Sequence, residues 1–124
     1  MKLFLAANII GVTDVEVAKD WYASIFGMTL VELKLPYFCE MKFGEQHFLL
    51  EKQSGERAIA FQEIPTGVRV SAIIGTDDIH AFIKMLHEKG VPIIQEPVQQ
   101  EWGGWNAIIA DPDGNEFIID EDEW

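Results

Sequence analysis

Cysteine is almost missing from this chain: Cys39 is the one thiol in 124 residues. That excludes an intramolecular disulfide, and nothing else points to an oxidising compartment. Basic side chains are also scarce, nine Lys and Arg against 21 Asp and Glu, for a net charge of −12. A chain of this sign is a poor match for phosphates, so nucleic acid is not an expected partner. The charge exceeds the magnitude of about 2–8 that solubility asks of a small domain. It reads either as a solvated acidic surface or as a field that draws in a cationic ligand. No apolar run approaches the roughly 20 residues of a membrane span, so a membrane is not an expected partner either. Met1-Lys2-Leu3-Phe4-Leu5-Ala6-Ala7 has the order of a short signal peptide. The same residues are needed as a first strand and a helix start follows at once, so a cytoplasmic protein is expected.

What is present is a repeat. Asp111-Pro112-Asp113-Gly114-Asn115 specifies a tight turn, and the apolar runs Ala107 to Ala110 and Phe117 to Ile119 on either side read as hairpin arms. Phe48-Leu49-Leu50-Glu51 answers Phe117-Ile118-Ile119-Asp120 at a constant offset of 69 residues. With 48% hydrophobic residues, the chain can bury about two thirds of its unfolded surface as one domain.

In order, Leu3 to Val12 has the continuous apolar character of a strand buried on both faces. Thr13 with Glu16 has capping-box spacing, and Val15, Ala18, Trp21, Tyr22, Ile25 and Phe26 recur at helical intervals until Gly27. Met28 to Leu35, Tyr37 to Phe43 and Gln46 to Lys52 read as strands. A connector falls in Ser54 to Thr66, with an extended piece at Ala58 to Phe61. The order then recurs: strand Val68 to Gly75, a helix opened by Thr76-Asp77-Asp78 and closed by Lys89-Gly90, and strands Val91 to Ile94, Trp105 to Ala110 and Glu116 to Asp120. Gln95 to Gly104 reads as an inserted loop. The expected fold is α+β: two tandem β-α-β-β-β modules, residues 1–60 and 68–124 about a connector at 61–67, forming a cup-shaped, mainly antiparallel sheet with helices on its outer face.

Val12-Thr13-Asp14-Val15, Trp21-Tyr22, Phe26-Gly27, Asp77-Asp78-Ile79, Lys89-Gly90-Val91, Trp102-Gly103-Gly104 and the Asp111 turn, in that order, resemble the vicinal oxygen chelate superfamily. This is the glyoxalase, bleomycin-resistance and extradiol dioxygenase group. The resemblance spans the chain and implies its fold, but the superfamily hosts many functions. It also implies four metal positions, usually His or Glu, which fall here on Ala7, Leu49, Ser71 and Ile118. One hydroxyl among four side chains does not make a divalent-cation site. No metal and no other cofactor is therefore expected. His47 and Glu51, four apart on one strand, stand about 13 Å apart and cannot share an ion. Gly114 is at the wrong place for a calcium loop.

If the family register holds, the inner face carries Ala7, Ile9, Leu49, Glu51, Ser71, Ile73, Asn106, Ile108, Glu116, Ile118 and Asp120. That mixed lining suits an organic ligand with an apolar body and a donor or cationic group, unless the interior is simply filled. Trp102 and Trp105 bracket Gly103-Gly104 at the expected mouth and are candidates to stack on such a ligand. Tyr37 is a candidate on the other side, and His47 is the one histidine on a strand that can face inward. His80 and His87 belong to the second helix and are expected in solvent. The candidate ligand contacts are thus Trp102, Trp105, Asn106, Glu116, Glu51, Ser71, Tyr37 and His47; no catalytic residue is assigned.

The expected function is metal-independent binding of a small cationic or aromatic molecule by a homodimer, the pairing being implied by the resemblance. The alternatives are a metal-dependent lyase, isomerase or dioxygenase, for which the donors are missing, and a metal-free enzyme using Glu51 or Glu116 as general base.

Overall fold

The computed structural model describes residues 1–53 and 70–122. The expected connector Ser54–Thr66 and the piece Ala58–Phe61 lie outside them. The chain divides into two compact units, Met1–Ile64 and Pro65–Trp124.

The first unit runs β1 (Asn8–Val12), α1 (Val15–Phe26), β2 (Thr29–Lys34), β3 (Phe38–Phe43) and β4 (Gln46–Lys52). Its sheet has the order β1-β4-β3-β2. β1 lies parallel to β4, and the other pairings are antiparallel. The helix starts where Asp14, in extended conformation, accepts a hydrogen bond from the Val17 N–H at 3.0 Å. Asp14 is therefore the cap, where the Thr13–Glu16 spacing had suggested Thr13. The helix stops at Gly27, whose φ of 71° is a left-handed conformation open to glycine. Val15, Ala18, Tyr22 and Ile25 are buried on one stripe, facing Cys39 and Met41 of β3 and Phe48 and Leu50 of β4. Fully burying side chains the size of Val15, Ile25, Met41 or Leu50 contributes about 1.5–3 kcal/mol each. Trp21, Tyr22, Phe26 and Phe43 add edge and tilted ring contacts along one side of the helix.

Cys39 sits in the middle of this layer with no exposed surface. Burial pushes its thiol up to about 11, against a smaller lowering by Lys19. The thiolate is the reactive form, so Cys39 is expected to resist a disulfide reagent at pH 8 in the folded protein and to react once urea unfolds it. Fast labelling under native conditions would contradict the packing. The raised value also means that the folded chain keeps a proton the unfolded chain sheds, so this group's contribution to stability declines as pH rises from about 9 to 11.

The second unit repeats the first: β5 (Val70–Gly75), α2 (Ile79–Glu88), β6 (Ile93–Gln99), β7 (Trp105–Ala110) and β8 (Glu116–Glu121), with sheet order β5-β8-β7-β6. Asp78 caps α2 by accepting from the Ala81 N–H at 3.0 Å. Ile79, Ile83 and Leu86 are buried on α2, and Ala107, Ile109, Phe117 and Ile119 on the sheet. The β7–β8 turn is built on Asp111. Its Oδ1 accepts from the backbone N–H groups of Asp113 and Asn115 at 2.9 and 2.8 Å, and its Oδ2 from the Asn115 amide at 2.8 Å.

Two elements differ from the sequence expectation. The first strand begins at Asn8, not Leu3, and Leu3, Phe4 and Leu5 are 84, 74 and 72% exposed. The register explains it: Asn8 lies opposite Phe48, so residues before Ala6 extend past Gln46, where β4 begins. The segment Gln95–Gln99, expected as loop, belongs to strand β6. Pro97 is accommodated because β6 is an edge strand and its register shifts between Gln95 and Val98.

Candidate functional site

Each sheet turns one face to its helix, and strand alternation assigns the remaining side chains to the opposite, open face. On the first sheet, Phe48 and Leu50 are buried toward α1, so His47, Leu49 and Glu51 lie on the open side. The pairings bring Ile9, Leu49 and Glu40 into one row, and Gly11, Glu51 and Phe38 into the next. Ile9 is 65% exposed. On the second sheet, Phe117 and Ile119 are buried toward α2. Ile73, Ile118 and Ile108 therefore form a row on the open side. These rows contain Leu49 and Ile118, two of the positions at which the resemblance places metal ligands. A third, Ser71, is exposed at a register shift of β5, and the fourth, Ala7, precedes β1. Aliphatic side chains and one hydroxyl do not fit a divalent cation. Among the described residues, no group of three or more His, Cys, Asp or Glu side chains is placed to hold one.

Two polar clusters stand on the open faces. His47 and Glu40 lie diagonally across the β3–β4 hairpin, with Nδ1 of His47 2.6 Å from Oε2 of Glu40 and the two side chains 36 and 29% exposed. Sequence reading had singled out His47 without its partner. The partner was within reach: the two-residue turn Gly44-Glu45 pairs Lys42 with His47 and so sets Glu40 on the same face. On the second sheet, Oδ1 of Asn106 accepts from the Gln95 amide at 3.3 Å and the Gln100 amide at 3.0 Å, and Asn106 pairs directly with Asp120.

The two tryptophans part company. Trp105 shares the helix-facing side with Ala107 and Ile109, and its ring meets His80 of α2 edge-on with centroids 4.8 Å apart. Trp102 is 70% exposed, and its Nε1–H donates to Oδ2 of Asp122 at 3.0 Å. Of the remaining candidates, Glu51 is half-buried on the open face of the first sheet, whereas Glu116 is only 2% exposed. Tyr37 is 69% exposed in the turn between β2 and β3, where its carbonyl accepts from the Lys52 N–H at 2.9 Å.

The Trp102–Asp122 bond passes over Gly104. A Cβ there would meet Oδ2 of Asp122 at 2.7 Å and Nε1 of Trp102 at 3.1 Å. Gly104→Ala is thus expected to part the two, costing about 1 kcal/mol and moving the Trp102 indole N–H resonance toward its solvent-exposed position. An unmoved resonance would show that the bond does not exist in solution. Beside Asp122 lies an open cavity of about 720 Å³, lined among the described residues by Ile73, Gly75, Thr76, Asp77 and Asp122. Thr76 and Asp77 read from sequence only as the opening of the second helix, and no motif joins them to Asp122.

The comparisons decide the family. The profile of the glyoxalase/bleomycin resistance protein/dioxygenase superfamily matches residues 5–119. The chain belongs to that superfamily. Solved structures share its fold: UcmS2 superposes with a TM-score of 0.80 at 23% identity, over 97% of this chain and 98% of that one. Lactoylglutathione lyase from Agrobacterium tumefaciens gives 0.71 at 23% identity over 98% and 95%. TioX from Micromonospora sp. ML1 gives 0.69 at 17% identity over 94% and 98%. At these identities the likeness is one of fold, the two tandem modules included. No curated protein matches the sequence.

Proposed function

We propose that this superfamily member is a metal-independent small-molecule-binding protein of the glyoxalase/bleomycin-resistance type, taking a cationic or aromatic ligand as a homodimer. The observation that carries this reading is the pair of aliphatic rows, Ile9 with Leu49 and Ile73 with Ile118 and Ile108. Two of their members, Leu49 and Ile118, stand at positions where the family resemblance places metal ligands. Exposed aliphatic groups flanked by a few polar anchors are the usual lining of a small-molecule site. The cavity with Ile73 and Gly75 beside the carboxylates of Asp77 and Asp122 supports a ligand with an apolar body and a positive group. The net charge of −12 acts in the same direction at longer range.

The test is elemental analysis of the purified protein, together with a thermal-shift screen of aromatic and cationic compounds with and without a chelator. Far less than one metal per chain, and ligand shifts that survive chelation, are expected. Stoichiometric nickel, zinc or iron would overturn the reading. Sedimentation at micromolar concentration checks the pairing, and a monomer would remove the homodimer from it.

A further inference from the structure

We infer that Glu40 and His47 form a proton-accepting anchor on the open face of the first sheet, which takes the weakly acidic O–H of a planar, otherwise apolar ligand. The inference rests on the small-molecule reading above and gives one of its sites a ligand chemistry.

An ionised carboxylate can only accept, so the 2.6 Å contact makes Nδ1 of His47 the donor and Glu40 the acceptor. The ring is thereby held in the tautomer whose other nitrogen, Nε2, carries the lone pair. That nitrogen is the acceptor end of a part-exposed side chain, while Leu49, on the same face two residues along, pairs with the exposed Ile9. The apolar pair Ile9 and Leu49 thus adjoins a ring-nitrogen acceptor, with the Glu40 and Glu51 carboxylates on the same face, a combination that fits a flat apolar body ending in a donor. Lys42 lies directly across from His47, with its ammonium 3.8 Å from the exposed Glu45 carboxylate. That ammonium, although shared with Glu45, adds positive charge on the same face.

Proton transfer balances within this set. The ligand O–H bond breaks with its electron pair left on oxygen, and the proton joins Nε2. The resulting imidazolium keeps its Nδ1–H bond to the Glu40 carboxylate. Ligands that are already anionic are disfavoured by the charge of −12, so the form that approaches is neutral and ionises at the site.

The test uses the intact protein with 4-nitrophenol, whose anion has its own absorption band, and nitrobenzene, which has the same ring without the hydroxyl. With wild type, 4-nitrophenol is expected to bind more tightly than nitrobenzene and to show the anion band at a pH where the free compound is mostly neutral. His47→Phe is expected to weaken 4-nitrophenol binding about tenfold or more and to abolish the band. Glu40→Gln is expected to keep most of the binding and lose most of the band, and neither variant should change nitrobenzene affinity. Thermal melting close to wild type confirms that both variants fold. Equal 4-nitrophenol affinity in wild type and His47→Phe, with nitrobenzene still bound, overturns this inference and leaves the small-molecule reading standing. Failure of wild type to bind either compound counts against both.

Discussion

Asp111→Ala is expected to destabilise the protein by about 3 kcal/mol, the larger of the losses open to a single polar side chain here. Asp111 is 5% exposed and accepts three hydrogen bonds from Asp113 and Asn115. An alanine would leave those donors facing a small void, and Asn115, at 4% exposure, has little access to water. Hydrogen bonds to a charged acceptor contribute about 1.5–3 kcal/mol each, and partial rehydration of the half-exposed Asp113 offsets part of the sum. Asp111→Asn keeps the volume and one acceptor but sets its amide against the Asn115 amide, so about half the loss is expected. Urea unfolding of the three proteins measures the series. A fall below about 1 kcal/mol for the alanine variant would mean that the turn does not depend on this carboxylate. The effect is large because the turn joins β7 to β8, the two central strands of their sheet.

Phe117→Ala is expected to cost about 3–5 kcal/mol, by lost transfer energy and the cavity left behind. Phe117 is fully buried between the second sheet and α2, whereas its counterpart in the repeat, Phe48, is 8% exposed. The same change at Phe48 is expected to cost less, because water and neighbouring groups can partly fill the space. Midpoints of denaturant unfolding should order wild type, Phe48→Ala and Phe117→Ala with little change in slope. Equal costs would show that the two halves of the repeat are packed alike despite their different exposure.

Much of this architecture is legible in the chain because its signals are local. Gly27 ends α1 and the Asp111 turn fixes the β7–β8 register through its own side chain, while the cap of α1 falls on Asp14, one residue beyond the Thr13 that the Thr13–Glu16 spacing implies. The repeat of Phe48-Leu49-Leu50 in Phe117-Ile118-Ile119 marks the corresponding strand of the first module, whose own register is set by the shorter Gly44-Glu45 turn. What was not legible depends on partners distant in sequence. Leu3 to Leu5 have the hydrophobicity of a strand, but β4 begins at Gln46 and offers nothing opposite them. Pro97 reads as a loop residue until its strand is known to lie at an edge. Trp105 shows the limit within the candidate site. Its neighbour Asn106 is on the open face, so alternation already placed the ring on the helix side, yet the glycines beside it suggested a mouth. Glu40 is a different case: the local Gly44-Glu45 turn suffices to set it on the face of His47, but no motif draws attention to it.

The parallel pairing of β1 with β4 sets a schedule for synthesis. Asn8 finds its partner in Phe48, forty residues further along the chain, so β1 leaves the ribosome well before anything it can pair with exists. The β3–β4 hairpin closes over a two-residue turn and is ready within microseconds of emerging. The earliest-made strand of this module is therefore the last to be laid into its sheet.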